Sequence, residues 1–248
     1  LRFVMRHAGG LRIDHIIGLF RLWWIPPGAP PVDGTYVRYD HQALIDILCL
    51  EAARAGVTLI GEDLGTVEPW ARDVLSDRGI LGTTVLLFER DGETIHDPNG
   101  WRTECLASVT VHDLPPTAQY LDGSHLRLWD ELSLLDRPYD EAFTSHEREV
   151  EVWVNVLRNE GLLSPVDEPT PTQITVAMHR LMSRAPSRLL CLSLVDGVGD
   201  LNTQNQPGTD QEYPNWRVPL TDEQGEPVLI EELADSTLLR TLVRSLSR

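Results

Sequence analysis

The sequence predicts an α/β fold built on a parallel sheet, a (β/α)8 TIM barrel of which five of the eight strands are present. Three observations point there. Strand-like runs that are apolar on both faces alternate with segments of helical periodicity, as in a parallel sheet covered by helices. Asp14, Glu62, Asp113 and Asp196 each follow the last apolar residues of a different run, and a barrel active site takes its acidic groups from the C-terminal ends of several strands. An open doubly wound sheet would gather its ligand groups near one switch point, usually with a glycine-rich phosphate loop, and the sequence has no such loop.

The elements follow in order. Residues 11–14, after Gly9-Gly10, form the first strand. Residues 26–31 (PPGAPP) are too proline-rich for a regular element and mark a loop. Ala43, Leu44, Ile47, Leu48 and Ala52 set helical spacing over residues 42–55, and Gly56 ends it. Residues 57–61 (VTLIG) read as a buried strand, and residues 68–78 as a helix closed by Gly79. Strands are expected at residues 83–88, 108–111 and 189–195, and long helices at 141–159 and 172–184. An irregular stretch rich in Asn, Gln, Gly and Pro precedes a short amphipathic tail at 229–246.

Composition excludes more than it selects. A formal net charge of -17, from 38 acidic against 21 basic residues, repels phosphate backbones, so nucleic acid and anionic membrane are not expected partners. A neutral ligand such as a sugar is compatible with it. No apolar run reaches the roughly 20 residues that span a bilayer. Cys49, Cys105 and Cys191 cannot all pair, which fits reduced thiols in the cytoplasm. No metal-ligand spacing is present. The first residues, LRFVMRH, are not a signal peptide.

Cleavage of a glycosidic bond with retention needs an ionised carboxylate as nucleophile and a protonated carboxyl as acid. Asp14 shares a strand face with Arg12, whose charge would lower a carboxylate pKa and suit a nucleophile. The same pattern also fits a structural Arg–Asp pair. Glu62, at the mouth of an apolar strand between Gly61 and Gly65, would be partly desolvated and so raised toward an acid. An exposed turn with Asp63 or Thr66 capping the next helix fits equally. His112-Asp113 follows a buried strand, where it could grip sugar hydroxyls and support an oxocarbenium-like transition state. An isolated His-Asp pair is more often a turn or a cap.

Together and in this order the segments LRIDHIIGLFRLWWIPPGAPPVDGTYVRYD, LIGEDLGTV, SVTVHDLPPTAQYL and NQPGT, with Asn215-Trp216 beyond, are specific. The chain resembles the 4-α-glucanotransferases (amylomaltases) of glycoside hydrolase family 77, in the α-amylase clan. The resemblance implies that residues 1–248 are the C-terminal part of a catalytic (β/α)8 barrel, about its last five strands. A loop insertion falls at about 23–40, and the N-terminal strands lie outside this chain. It implies transfer of α-1,4-glucan segments between maltooligosaccharides by double displacement, without metal or organic cofactor. Asp14 then matches the nucleophile, Glu62 the acid/base and Asp113 the transition-state stabiliser. Arg12 orients Asp14, and His112 contacts the sugar beside the cleaved bond.

Among the aromatics Trp23, Trp24, Tyr36 and Tyr39, Tyr36 is the expected sugar contact, and one of the two tryptophans is expected in the core. Asn205, Pro207 and Gly208 belong to a family motif and read as a structural turn, and Asp196 lines the cleft or caps it. Val111 departs from the pattern, standing where many relatives carry threonine. A hydrolase using the same carboxylates, with water as acceptor, and an inactive fragment are the alternatives.

Overall fold

The computed structural model describes residues 1–247. The chain divides into two compact units, Leu1–Thr84 with Thr103–Leu106, and Val85–Arg102 with Ala107–Arg248.

The first unit opens with a short helix, α1 (Arg2–Met5), and strand β1 (Gly10–Ile13). Strands β2 (Arg21–Trp24) and β3 (Thr35–Arg38) follow as an antiparallel hairpin, with Trp23 opposite Tyr36. The arms of the expected loop insertion are therefore strands, built from the β-prone sequences RLWW and TYVR. Helix α2 (His41–Ala55) starts at Asp40, whose carboxylate accepts the Ala43 N–H at 3.2 Å, and ends at Gly56 in the left-handed conformation. It buries Ile45, Leu48 and Ala52. Glu51 is also buried there; its hydrogen bond to Arg2, with Arg54 adding to it, holds its carboxyl down at about 2 and ties α1 to α2.

Strand β4 (Thr58–Gly61) lies parallel to β1, with Gly10 opposite Thr58 and Ile13 opposite Gly61. After helix α3 (Pro69–Asp77) the chain returns parallel to β4 at a bridge between Ile60 and Leu81, just before β5 (Gly82–Val85), where the Gly82 N–H reaches the Glu104 carbonyl. Each parallel crossover carries a helix, and Ile16, Phe20, Ile45, Leu48, Leu59, Leu75 and Ile80 form the core between helices and sheet.

The second unit contains a small hairpin, β6 (Arg90–Asp91) with β7 (Thr94–Ile95); β8 (Cys105–Ser108) follows in the chain, its last two residues belonging to this unit. The strand expected at 108–111 thus ends at Ser108. Beyond it Thr110 turns its hydroxyl to the Pro115 carbonyl at 3.1 Å, and the Leu114 N–H closes on the Val111 carbonyl. That side chain competes for the backbone and converts the strand's continuation into a loop. Two short helices follow, α4 (Thr117–Asp122) and α5 (Ser124–Glu131), hinged at Gly123 with φ 76°. A Cβ at Gly123 would stand 2.9 Å from the Phe143 ring.

The long helices are α6 (Tyr139–Asn159) and α7 (Pro171–Met182), the latter started by a reciprocal Thr170–Gln173 capping box with proline at its first position. Trp153, Leu157, Met178, Leu181 and Met182 pack with Leu86 and Val109 into the second core. Strand β9 (Leu189–Cys191) is shorter than the expected run, because the chain turns helical as α8 (Leu194–Val198). The amphipathic tail ends in α9 (Thr237–Leu246). No helix among the described residues is long and apolar enough to cross a membrane.

Candidate active site

In the first unit Asp14 and Glu62 each stand one residue beyond the last paired residues of adjacent parallel strands, Ile13 and Gly61. The ladder continues past the strands: Glu62 N–H donates to the Ile13 carbonyl at 2.9 Å, and Ile16 N–H to the Glu62 carbonyl at 3.1 Å. Arg12 points to the same face as Asp14 and donates to its carboxylate at 2.6 Å. The Asp14 side chain is 56% exposed, so the pair stands open to a ligand.

The Glu62 carboxylate is largely buried, its side chain 14% exposed. One oxygen accepts the His15 N–H at 2.9 Å and the other the Leu64 N–H at 2.6 Å. A proton carried by Glu62 must therefore use a lone pair that these two amides leave over. His15 is in the left-handed conformation (φ 51°), uncommon for a residue with a side chain, and this turn aims its amide at Glu62. The carboxyl of Glu62 thus reaches the peptide that follows Asp14.

The exposed-turn alternative for this segment fails at Asp63. Asp63 is 2% exposed, accepts the Thr83 N–H at 2.9 Å and faces Arg72 of α3 at 3.4 Å. It pins the end of β4 and does not cap a helix.

On the hairpin both tryptophans are exposed, Trp23 by 45% and Trp24 by 55%, so neither is the expected core residue. Their indole N–H groups are taken by the Pro31 carbonyl at 3.0 Å and the Tyr39 hydroxyl at 2.7 Å, which fixes both rings. Tyr36 packs edge-on against Trp23 at 5.0 Å, and the Arg21 guanidinium lies 4.1 Å from its ring centre. A sugar stacking on that face would have to displace Arg21.

In the second unit His112 and Asp113 sit in the loop after β8. Asp113 accepts the Asn205 amide at 2.5 Å, and His112 Nε2 lies 3.4 Å from the other carboxylate oxygen. The His112 ring packs on Trp216 at 5.0 Å. The sequence reads Asn205 as part of a structural turn, since nothing local distinguishes an amide that builds a turn from one that reaches a carboxylate 92 residues away; its amide in fact donates to Asp113.

Asp196 is removed from solvent and is not at a strand end. It caps α4, accepting the Thr117 N–H at 2.7 Å and hydroxyl at 2.8 Å, with His179 Nε2 at 3.7 Å. Burial pushes Asp196 up and His179 down, so this pair belongs to the core.

Known proteins resemble this chain in sequence and fold. The sequence profile of the 4-alpha-glucanotransferase family of glycoside hydrolases 77 matches residues 1–224. The 4-alpha-glucanotransferase of Mycobacterium tuberculosis is 52% identical over 99% of this chain, and that of Haemophilus influenzae 34% identical over 86%. The chain spans about a third of their length, 34% and 31%. Among solved structures, amylomaltase from Corynebacterium glutamicum superposes with a TM-score of 0.88 at 40% identity, covering 100% of this chain and 37% of its own. Amylomaltase from Streptococcus agalactiae, solved with acarbose, shares the fold at a TM-score of 0.62 and 18% identity over 96% of this chain and 40% of its own. With a profile match over most of its residues, this chain belongs to the 4-alpha-glucanotransferase family, glycoside hydrolase family 77.

Proposed function

We propose that this chain carries the catalytic carboxylates of a 4-α-glucanotransferase, moving α-1,4-glucan segments between maltooligosaccharides with retention. Asp14 is the nucleophile, Glu62 the acid/base and Asp113 the transition-state stabiliser. Arg12 orients Asp14, and His112 and Tyr36 contact sugar. The supporting fold is a (β/α)8 barrel to which this chain contributes about the last five strands, and the reaction takes place in the cytoplasm.

The observation that carries the reading is the shared strand-end position of Asp14 and Glu62. Neighbouring strands run about 4.8 Å apart, and retaining enzymes keep their two carboxyls about 5–5.5 Å apart. Two acidic residues one position past paired residues of adjacent parallel strands start from a backbone spacing close to that separation, which supports the reading. In the first half-reaction Glu62 protonates the leaving glycosidic oxygen while Asp14 attacks the anomeric carbon. In the second, Glu62 takes a proton from the acceptor hydroxyl, which displaces Asp14. Acceptor sugar in place of water makes the reaction a transfer.

The test is incubation with maltotriose and separation of products by size. It uses this chain, and this chain joined to the remainder of a family-length sequence, each with a Glu62→Gln control. A ladder of longer maltooligosaccharides plus glucose, absent in the control, is expected. Maltose and glucose without longer products would replace the transferase by a hydrolase. No turnover in either form would overturn both.

A further inference from the structure

Asp113 lies on a loop and is contacted by a side chain from another loop, yet a stabiliser of a transition state must be held to a fraction of an ångström. Something rigid has to stand behind Asn205. Residues 203–206 form neither helix nor strand, but both flanks of Asn205 are anchored. On one side the Thr203 hydroxyl donates to Gln119 Oε1 of α4 at 2.7 Å, with Thr203 2% and Gln119 5% exposed. On the other, the Trp129 indole N–H of α5 donates to Gln206 Oε1 at 2.9 Å, with Gln206 6% exposed. Buried hydrogen bonds of this kind fix a loop because breaking one leaves a desolvated polar group. The two helices are short, but Gly123 joins them and His125 locks them, stacking on Tyr120 at 5.8 Å and edge-on to Trp129 at 5.0 Å.

We propose that Trp129 and Gln119 are positioning residues for Asp113: through Gln206 and Thr203 they hold the Asn205 amide against its carboxylate. The α4–α5 pair is then the platform on which this part of the site is mounted, although neither residue touches substrate. The inference rests on the assignment of Asp113 as a catalytic group.

A double-mutant cycle tests it in the family-length protein. Trp129→Phe keeps an aromatic ring, smaller than the indole, and deletes the N–H; Asn205→Ala deletes the amide. Each is expected to lower kcat on maltotriose about tenfold with KM within about twofold, since a small misplacement of a reacting group acts on the transition state. The double variant is expected to be no slower than Asn205→Ala alone, because Trp129 acts through Asn205. Losses that multiply, or an unchanged kcat for Trp129→Phe, would overturn the proposal. Thr203→Val, nearly isosteric, repeats the cycle at the other anchor should Trp129→Phe fold poorly. Amide exchange gives a readout without turnover. Trp129→Phe is expected to speed exchange in 203–207 and also in 110–114. Faster exchange confined to 203–207 would overturn the coupling even if the wild-type protein made no transfer product, in which case the functional reading fails separately.

Discussion

Residues 1–84 hold Asp14 and Glu62 by backbone: paired strands set their positions, and Glu62 is gripped by two amide groups of nearby residues. In the second unit Asp113 is held by the side chain of Asn205, from a loop whose own anchors are side chains on α4 and α5. Backbone register leaves little to adjust, because shifting it moves a whole strand. A chain of side-chain bonds can be tuned, or broken, one residue at a time. The difference is expected to appear in how substitutions fail. Damage to the backbone that positions the first unit's carboxylates should cost stability and activity together, whereas damage to the side chains behind Asp113 should cost kcat first.

The largest effect is expected at the carboxylates. On the proposed mechanism Asp14→Asn removes the attacking charge while leaving an oxygen for Arg12, so a loss in kcat on the order of 10⁴-fold with an unchanged melting temperature is the expected outcome. Retention of more than about 1% of activity would remove Asp14 from the nucleophile's role. Glu62→Gln is less clean. Both carboxylate oxygens accept amide N–H groups, and a glutamine must turn its own NH₂ toward one of them. Its melting temperature should therefore fall where that of Asp14→Asn does not.

Two neighbours of Glu62 test the backbone side of the comparison. At Gly61 an added Cβ would lie 2.7 Å from Ile16 Cδ1 and 2.8 Å from its Cγ2. Ile16 is fully buried and its N–H is bonded to the Glu62 carbonyl, so it cannot move without moving His15. Gly61→Ala should cost about 1–3 kcal/mol by overpacking. Asp63→Ala should cost about 2 kcal/mol, because the buried Thr83 N–H loses its acceptor. Thermal unfolding measures both, and maltotriose turnover should fall with each. A variant of either kind that lost stability but kept full activity would show that the strand end does not set Glu62.

Much of the first unit was legible in the sequence, because its signals are local. Apolar runs, the stop at Gly56 and an acidic residue just past VTLIG locate β1, α2, β4 and the two carboxylates within a residue or two. The hairpin was hidden by the six residues PPGAPP, which mark a loop truthfully but draw attention from the β-prone stretches on either side. In the second unit the period argument placed α6 and α7 and misplaced β8, since an apolar run cannot reveal that the Thr110 hydroxyl will capture a carbonyl. The contacts of Asn205 and Trp129 were illegible in principle. Their partners lie 92 and 77 residues away, and a polar residue chosen for a distant contact has no local period.

The smallest effect separates the units by pH. Burial holds His125 neutral and pushes its pKa from the ordinary 6.5 down to about 4; burial lowers His146 as well. The ring of His146 lies 4.8 Å away, the Gln119 carbonyl accepts from Nδ1 of His125, and Asp122 favours the charged form without reversing the shift. An unfolded chain protonates His125 below about pH 6.5, and the folded chain resists until about pH 4. The unfolded state therefore binds more protons in that window, and stability falls as pH falls through it. One unit below 6.5 the cost from this residue is about 1 kcal/mol. His125→Phe keeps a ring against Trp129 and cannot be protonated. Denaturant unfolding at pH 7 and pH 5.5 should show a smaller loss in the variant than in the wild type. Equal losses would mean that the platform beneath Asp113 does not sense acid, and that the weakness of a site mounted on side chains lies elsewhere than in its histidines.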